Sequence, residues 1–253
     1  CYLYKSEVKS NSDSCGGICG LNEGIISKST VRSCHVVAGR YAGGLVGTNR
    51  SLIYNCLVES YTNLSEKSKV ESSNSVSGGL VGILEGGIVL LSSSTDTIVS
   101  SVYSIAGGLV GTAIVYIIGN TKLVPYIYDS YSRDNFITSN SNVGGFVATL
   151  GLEVANNTDL STEQDVVVRC YCSNTLESLS SFGGFCARKN DKYQILCSYW
   201  NVTKSSVYIS DGGEGKTDDA MKLSSTYNNW DFVNIWKITE NEYPWLKFSF
   251  DFD

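Results

Sequence analysis

Apolar residues in this chain come in short runs of three to five, rich in Val, Ile, Leu and Tyr. Polar stretches such as Ser72–Ser75 and Ser139–Asn142 separate them. Such runs, bounded by Ser, Asn and Gly, predict strands and turns. No segment keeps an apolar stripe at the 3.6-residue period of a helix with capping residues at its ends. The strands recur in register with a glycine pair. Ala42 to Gly47 reads Ala-Gly-Gly-Leu-Val-Gly, and variants begin at Cys15, Ser77, Ala106, Val143 and Phe182. The first glycines fall at 16, 43, 78, 107, 144 and 183, so the spacing runs from 27 to 39 residues. A looser element follows most copies: Ser33-Cys34-His35-Val36, Asn55-Cys56-Leu57-Val58, Asp129-Ser130-Tyr131-Ser132, Arg169-Cys170-Tyr171-Cys172 and Leu196-Cys197-Ser198-Tyr199. A repeat of this length, built of strands, predicts a β-solenoid in which stacked coils bury a continuous core. The glycine pair then marks a narrow corner, where a strand meets its neighbour too closely for a side chain.

Two segments depart from the pattern. Residues 97–121 carry no charge and include Gly107 and Gly111, the spacing of a membrane-helix dimerisation face. The same spacing recurs at Gly16/Gly20, Gly43/Gly47 and Gly78/Gly82 in polar surroundings, so it follows from the repeat and no membrane span is expected. At the end of the chain, Leu246, Phe248, Phe250 and Phe252 alternate with Lys247, Ser249, Asp251 and Asp253. That is a period-two strand with one apolar face. An apolar edge strand invites pairing with another chain, so this stretch is expected to join subunits head to tail, into filaments where the contact does not close.

Composition narrows the function. Nineteen Lys and Arg against 25 Asp and Glu leave a net charge of −6, which offers no basic field for nucleic acid. His35 is the single histidine, so no two-histidine metal site and no relay of imidazoles can be built. Nine cysteines are many for a reducing compartment and odd in number, with Cys1 the expected unpaired thiol. A chain beginning at Cys1 reads as a mature secreted form or part of something longer.

The Gly-Gly-Leu-Val-Gly core with its trailing Asn-Cys-like strand resembles the GLUG-motif repeats of large surface proteins, among them bacterial IgA-cleaving metallopeptidases. Gly215-Lys216-Thr217, Met221-Lys222, Trp230-Asp231-Phe232, Ile235 to Ile238 and Tyr243 to Leu246 resemble the segment that closes such arrays. The central repeats match best; the last two end in Phe-Val-Ala and Phe-Cys-Ala. The resemblance implies an all-β solenoid of about six repeats at a cell surface over residues 1–198, followed by an aromatic capping segment over 199–253. It does not imply catalysis.

Candidate chemistry is sparse. Gly215-Lys216-Thr217 ends like a phosphate-binding loop, but Ser210 stands where the motif needs glycine. Asp211 to Asp218 resembles one calcium-binding nonapeptide, with its Asp out of place. Neither Cys15/Cys19 nor Cys170/Cys172 has zinc spacing, and no cofactor is expected. Adjacent coils lie about 4.8 Å apart, within disulfide reach, so Cys34–Cys56 and Cys197 with Cys170 or Cys172 are the expected pairs. Asn49, Asn63, Asn156 and Asn201 head glycosylation sequons, about as many as chance yields. The acids are scattered, with none recurring at one repeat position, which weighs against the paired carboxylates of sugar cleavage. The leading expectation is an extracellular structural protein, a subunit or segment of a surface fibre or stalk assembling with itself. An adhesin binding glycan or protein is the alternative, and a polysaccharide-cleaving β-helix enzyme a distant third.

Overall fold

The computed structural model describes residues 1–11, 13–61, 67–152 and 162–247. Within these the protein is built almost wholly of β-strands in parallel sheets stacked as a solenoid. Each coil carries up to five short strands, and we number the faces they form from 1 to 5. Face 1 begins with Tyr2–Tyr4, Thr30–Arg32 and Leu57–Glu59. Face 2 begins with Glu7–Ser10, His35–Ala38 and Ser68–Ser72. In later coils Tyr131–Ser139 and Tyr171–Ser178 run through both faces without a break. Faces 3, 4 and 5 are separate parallel sheets of six strands. They start with Ser14–Gly16, Cys19–Asn22 and Ile25–Ser27 respectively.

Inward-pointing residues stack into apolar columns. Leu45, Leu80, Leu109, Phe146 and Phe185 form one, beside Val46, Val81, Val110, Val147 and Cys186. Across the core lie Ile53, Val89, Ile127 and Val167. Parallel strands buried on the inside read as apolar at every second position, which is why the runs in the sequence are so short.

The glycine pairs turn face 3 into face 4, and the two members are needed for different reasons. A Cβ on Gly43 would stand 1.8 Å from the Val46 carbonyl oxygen, within the same turn. A Cβ on Gly44 would stand 2.2 Å from the Gly79 carbonyl oxygen of the next coil and 2.8 Å from the Val58 side chain. Neither glycine has a left-handed backbone, so the requirement is room alone.

Two other corners turn on a residue with positive φ. From face 5 to face 1 these are Lys28, Asn55, Leu91, Asp129, Arg169 and Cys197, with φ between 47° and 53°. From face 1 to face 2 they include Lys5, Ser33, Asp96 and Asp134. A side-chain-bearing residue in this region is strained, and the residue that follows compensates. After the first corner it is Ser or Cys: Ser29, Cys56, Ser92, Ser130, Cys170 and Ser198, in mutual register. Its hydroxyl or thiol donates to the carbonyl two residues back, as from Ser92 to Leu90 at 2.7 Å and from Cys170 to Val168 at 3.4 Å. Its oxygen also accepts from the backbone N–H one coil earlier, as Ser92 Oγ does from Cys56 at 3.1 Å. At the second corner the column is Ser6, Cys34, Ser68, Thr97, Asn135 and Asn174. Asn135 Oδ1 accepts from Thr97 N at 2.8 Å, and Asn174 Oδ1 from Asn135 N at 2.9 Å.

This register corrects the alignment of the Cys-containing elements. Cys34 stacks with Ser68, whereas Cys56 stacks with Ser29 and Ser92, at a different corner. Cys197 is itself a corner residue in register with Arg169, so it faces neither Cys170 nor Cys172. The pairs expected from the sequence therefore do not form, and all nine cysteines are free thiols. Burial pushes the Cys170 and Cys172 thiols well above their ordinary range and keeps them protonated.

Residues 97–121 are strands: Thr97–Ser101, Ile105–Gly107, Val110–Ile114 and the antiparallel arm Tyr116–Ile118. Among the described residues no helix is long and apolar enough to cross a membrane.

Candidate functional site: two unequal ends and an axial groove

The sheet of face 1 continues past residue 198 through Tyr199–Asn201 and Glu214–Lys216. Between them a short helix, Val202–Ser205, and the stretch 206–213 fold over the open end of the stack. Ser210 Oγ accepts from both Phe185 N at 3.2 Å and Cys186 N at 3.0 Å. Gly184 N donates to Ile209 O at 2.9 Å, and Lys189 N to Asp211 Oδ2 at 3.2 Å. Trp200 lies against Gly184 and Gly213 against Phe185, which closes the core column. Gly215-Lys216-Thr217 is thus the end of a strand and its exit, with Lys216 paired to Glu214 rather than shaping a phosphate loop.

The remaining chain, to Lys247, lies along the side of the solenoid. Tyr131, Tyr171 and Tyr199 stack outward on face 1, the first two rings 5.2 Å apart and nearly parallel. Trp230, Trp236, Tyr227 and Tyr243 pack over them. Trp236 Nε1 donates to Asp129 Oδ1 at 3.3 Å, and Tyr171 OH to the Pro244 carbonyl at 2.6 Å. Asp218 locks this flap to the stack, accepting from Asn201 Nδ2 at 2.8 Å, Lys222 Nζ at 2.6 Å and the Tyr243 hydroxyl. The Lys222 ammonium, then the Tyr243 hydroxyl, lower its pKa to about 2.

These contacts decide several sequence-based expectations. Leu246 pairs with Trp236 in a short antiparallel ladder and is buried in the aromatic cluster, so it is no assembly residue. Phe248, Phe250 and Phe252 lie outside the described residues. Asn49 is 0% exposed, its amide oxygen bound by Asn22 and its nitrogen donating to Ser51 O. Asn201 is 1% exposed, caps the short helix and donates to Asp218. Neither folded side chain has room for a glycan. Asn63 and Asn156 lie outside the described residues. No group of three or more His, Cys, Asp or Glu side chains able to hold a metal occurs among the described residues.

The N-terminal end is the reverse of the C-terminal one. Its five strands each have a neighbour on one side only. Leu3, Ile18 and Ile26 begin the core columns but stay half-buried, and Ile25 is 73% exposed. One coil on, Ile53 is 0% exposed.

Along the corner between faces 1 and 2 runs a groove parallel to the stacking axis. Three adjoining cavities of 650, 610 and 430 Å³ make it up. Lys67 lines the first and second; Arg133 and Asp134 line the second and third. The corner places charges here because its strained residue points outward and its column residue is spent on the backbone. Lys67 pairs with Asp96 at 2.6 Å, and Lys204 reaches Asp134. Arg133 Nε lies 3.1 Å from Asp134 Oδ2. Sequence reading missed this groove, because its residues recur only once the coils are stacked; the positive-φ corner residues were its only trace.

No protein-family model matches the chain, and no curated protein does. Among solved structures it is similar to a candidate immunoglobulin A1 protease from Bacteroides ovatus, at a TM-score of 0.59 and 15% identity, over 98% of this chain and 76% of that one. At that identity the likeness is one of fold, and it places the chain among all-β proteins of parallel, solenoid-like sheets.

Proposed function

We propose that this protein is an extracellular structural module, a rigid segment of a surface fibre or stalk, joined to its neighbour through its N-terminal end. The observation that carries this reading is the first described coil, whose strands each have a neighbour on one side only among the described residues. A solenoid end with unpaired strands and half-buried core residues is a surface for another β-layer. The C-terminal end already spends its hydrogen bonds on residues 206–213. The joint therefore lies at Tyr2–Tyr4, Cys19–Asn22 and Ile25–Ser27. The glycine-pair repeat supports a surface location through its resemblance to GLUG-type arrays, and about six such repeats account for the stacked sheets.

In the isolated chain the layer that covers this end is that of a second copy. Light scattering over a concentration series is expected to show association, lost in a Leu21→Lys/Ile25→Lys variant that keeps its thermal unfolding. A chain monomeric at every concentration overturns the reading. The structural neighbour's name brings proteolysis into view. Four of the groove acids are held by a cation, Asp96 and Asp134 by a lysine each, Glu7 by Lys9 and Glu59 by Arg32, an arrangement suited to structure or binding rather than proton transfer.

A further inference from the structure

The groove at the corner of faces 1 and 2 has its own chemistry, and it starts in the first coil beside the joint. Its first cavity is lined by three lysines, Lys5, Lys67 and Lys69, against one acid, Glu7. Glu7 is already paired with Lys9 at 2.7 Å and lies 3.3 Å from His35 Nδ1. His35 Nε2 in turn is 2.8 Å from Glu71. Lys69 has no carboxylate partner among the described residues, and Lys5 has only the ring of Tyr4, 5.2 Å away. In a chain of net charge −6 this is a local excess of positive charge in a cleft, the arrangement that concentrates anions. Exposed aromatic rings border the cleft: Tyr4 meets Tyr61 edge to face at 5.6 Å, and Arg32 lies over Tyr61 at 4.7 Å. At its far end the third cavity is lined by Tyr243 and Trp245 together with Lys222.

We propose that this groove binds an extended acidic polysaccharide, its carboxylates at Lys5 and Lys69 and its hydroxyls along the Ser, Thr and Asp side chains of the corner. Three features select a sugar polymer over an acidic peptide. Beyond the first coil, the strands flanking the groove have neighbours on both sides, so a peptide finds no free edge to extend. Among the described residues the first two cavities offer Ile98 as their one large apolar lining residue, too little to anchor peptide side chains. What remains is charge, hydroxyl acceptors and aromatic rims, which suit a polyhydroxylated chain bearing acids. The groove also runs across several coils, so it takes a polymer better than a single sugar.

The test is calorimetric titration of the full chain with polygalacturonate, with a neutral glucan and with poly-glutamate of similar length. Polygalacturonate is expected to bind, more weakly as salt rises, and the other two at least about tenfold less. Lys5→Gln/Lys69→Gln is expected to lose about tenfold or more, the scale of a charged hydrogen bond. Lys28→Gln, outside the groove, is expected to change nothing. Asp96→Asn keeps a residue that tolerates the left-handed corner, frees Lys67 and is expected to tighten binding several-fold. Absence of binding overturns the proposal. So does binding unmoved by the double lysine variant, or a glucan or poly-glutamate that binds as well.

Discussion

The first and last coils share one backbone plan, yet among the described residues only the last is covered by a further layer. At the C-terminal end Trp200, Ser210 and Gly213 close the core column, and the backbone N–H groups of Phe185 and Cys186 find an acceptor. At the N-terminal end Leu3, Ile18 and Ile26 occupy equivalent columns and stay half-buried, with no further coil stacked on them among the described residues. The lesson is that a repeat specifies its own stacking but not its ends. Termination needs residues outside the repeat, and here 206–213 and the aromatic flap supply it at the C-terminal end.

The largest blow to this asymmetry is Trp236→Ala. The indole is fully buried against Trp230 at 4.2 Å, and its loss is expected to cost about 3–5 kcal/mol. Denaturant unfolding reads that cost, and hydrogen exchange is expected to deprotect Tyr131 and Tyr171 while Tyr2–Tyr4 exchange as before. If both ends loosened equally, the flap would not be a local seal. Ser210→Ala leaves two backbone donors at the C-terminal end without their acceptor, at about 1–2 kcal/mol. Faster exchange at Phe185 and Cys186 checks it.

Acid tests the flap from the other side. Asp218 has a folded pKa of about 2, below its ordinary 3.8. A lowered carboxylate contributes stability that is present above pH 4 and lost as pH falls toward 2. Because its side chain is about a third exposed, the loss is expected to be about 1 kcal/mol at most. Asp218→Asn should flatten that part of the profile. Cys34→Ser with Cys56→Ser is expected to cost less than about 1 kcal/mol, since Ser already holds equivalent corners. A loss of about 2–4 kcal/mol would reveal a disulfide instead. Smallest of all, Ile25→Ala is expected to stay within about 0.5 kcal/mol in the monomer, because its side chain is in water.

Much of the fold was legible. The glycine pairs marked real corners, because a backbone that passes within 2–3 Å of a Cβ position accepts no other residue. The Gly-x-x-x-Gly of residues 107–111 lies across two strands at a glycine corner. The Cys elements were harder. Ser33-Cys34 and Asn55-Cys56 look alike because both are a left-handed residue followed by a small hydrogen-bonding side chain, a need that arises at two corners of every coil. Sequence similarity therefore aligned two different corners. Asn49 and Asn201 carried sequons that say nothing of burial. The alternation at Leu246 looked like a free edge because its partner, Trp236, is ten residues away across a turn.

By itself the sequence determined the all-β stack, because glycine corners and alternating apolar strands recur at a period that only parallel coils satisfy. It also determined that no relay of imidazoles can be built, since His35 is the single histidine. The tertiary structure alone decided that the expected cysteine partners stand at different corners, which asparagines are covered, how the last coil is closed and where charges line up into a groove. Those properties depend on register between residues 27 to 40 positions apart. Register is set by hydrogen bonds and core contacts summed over whole coils, which no local run of residues contains.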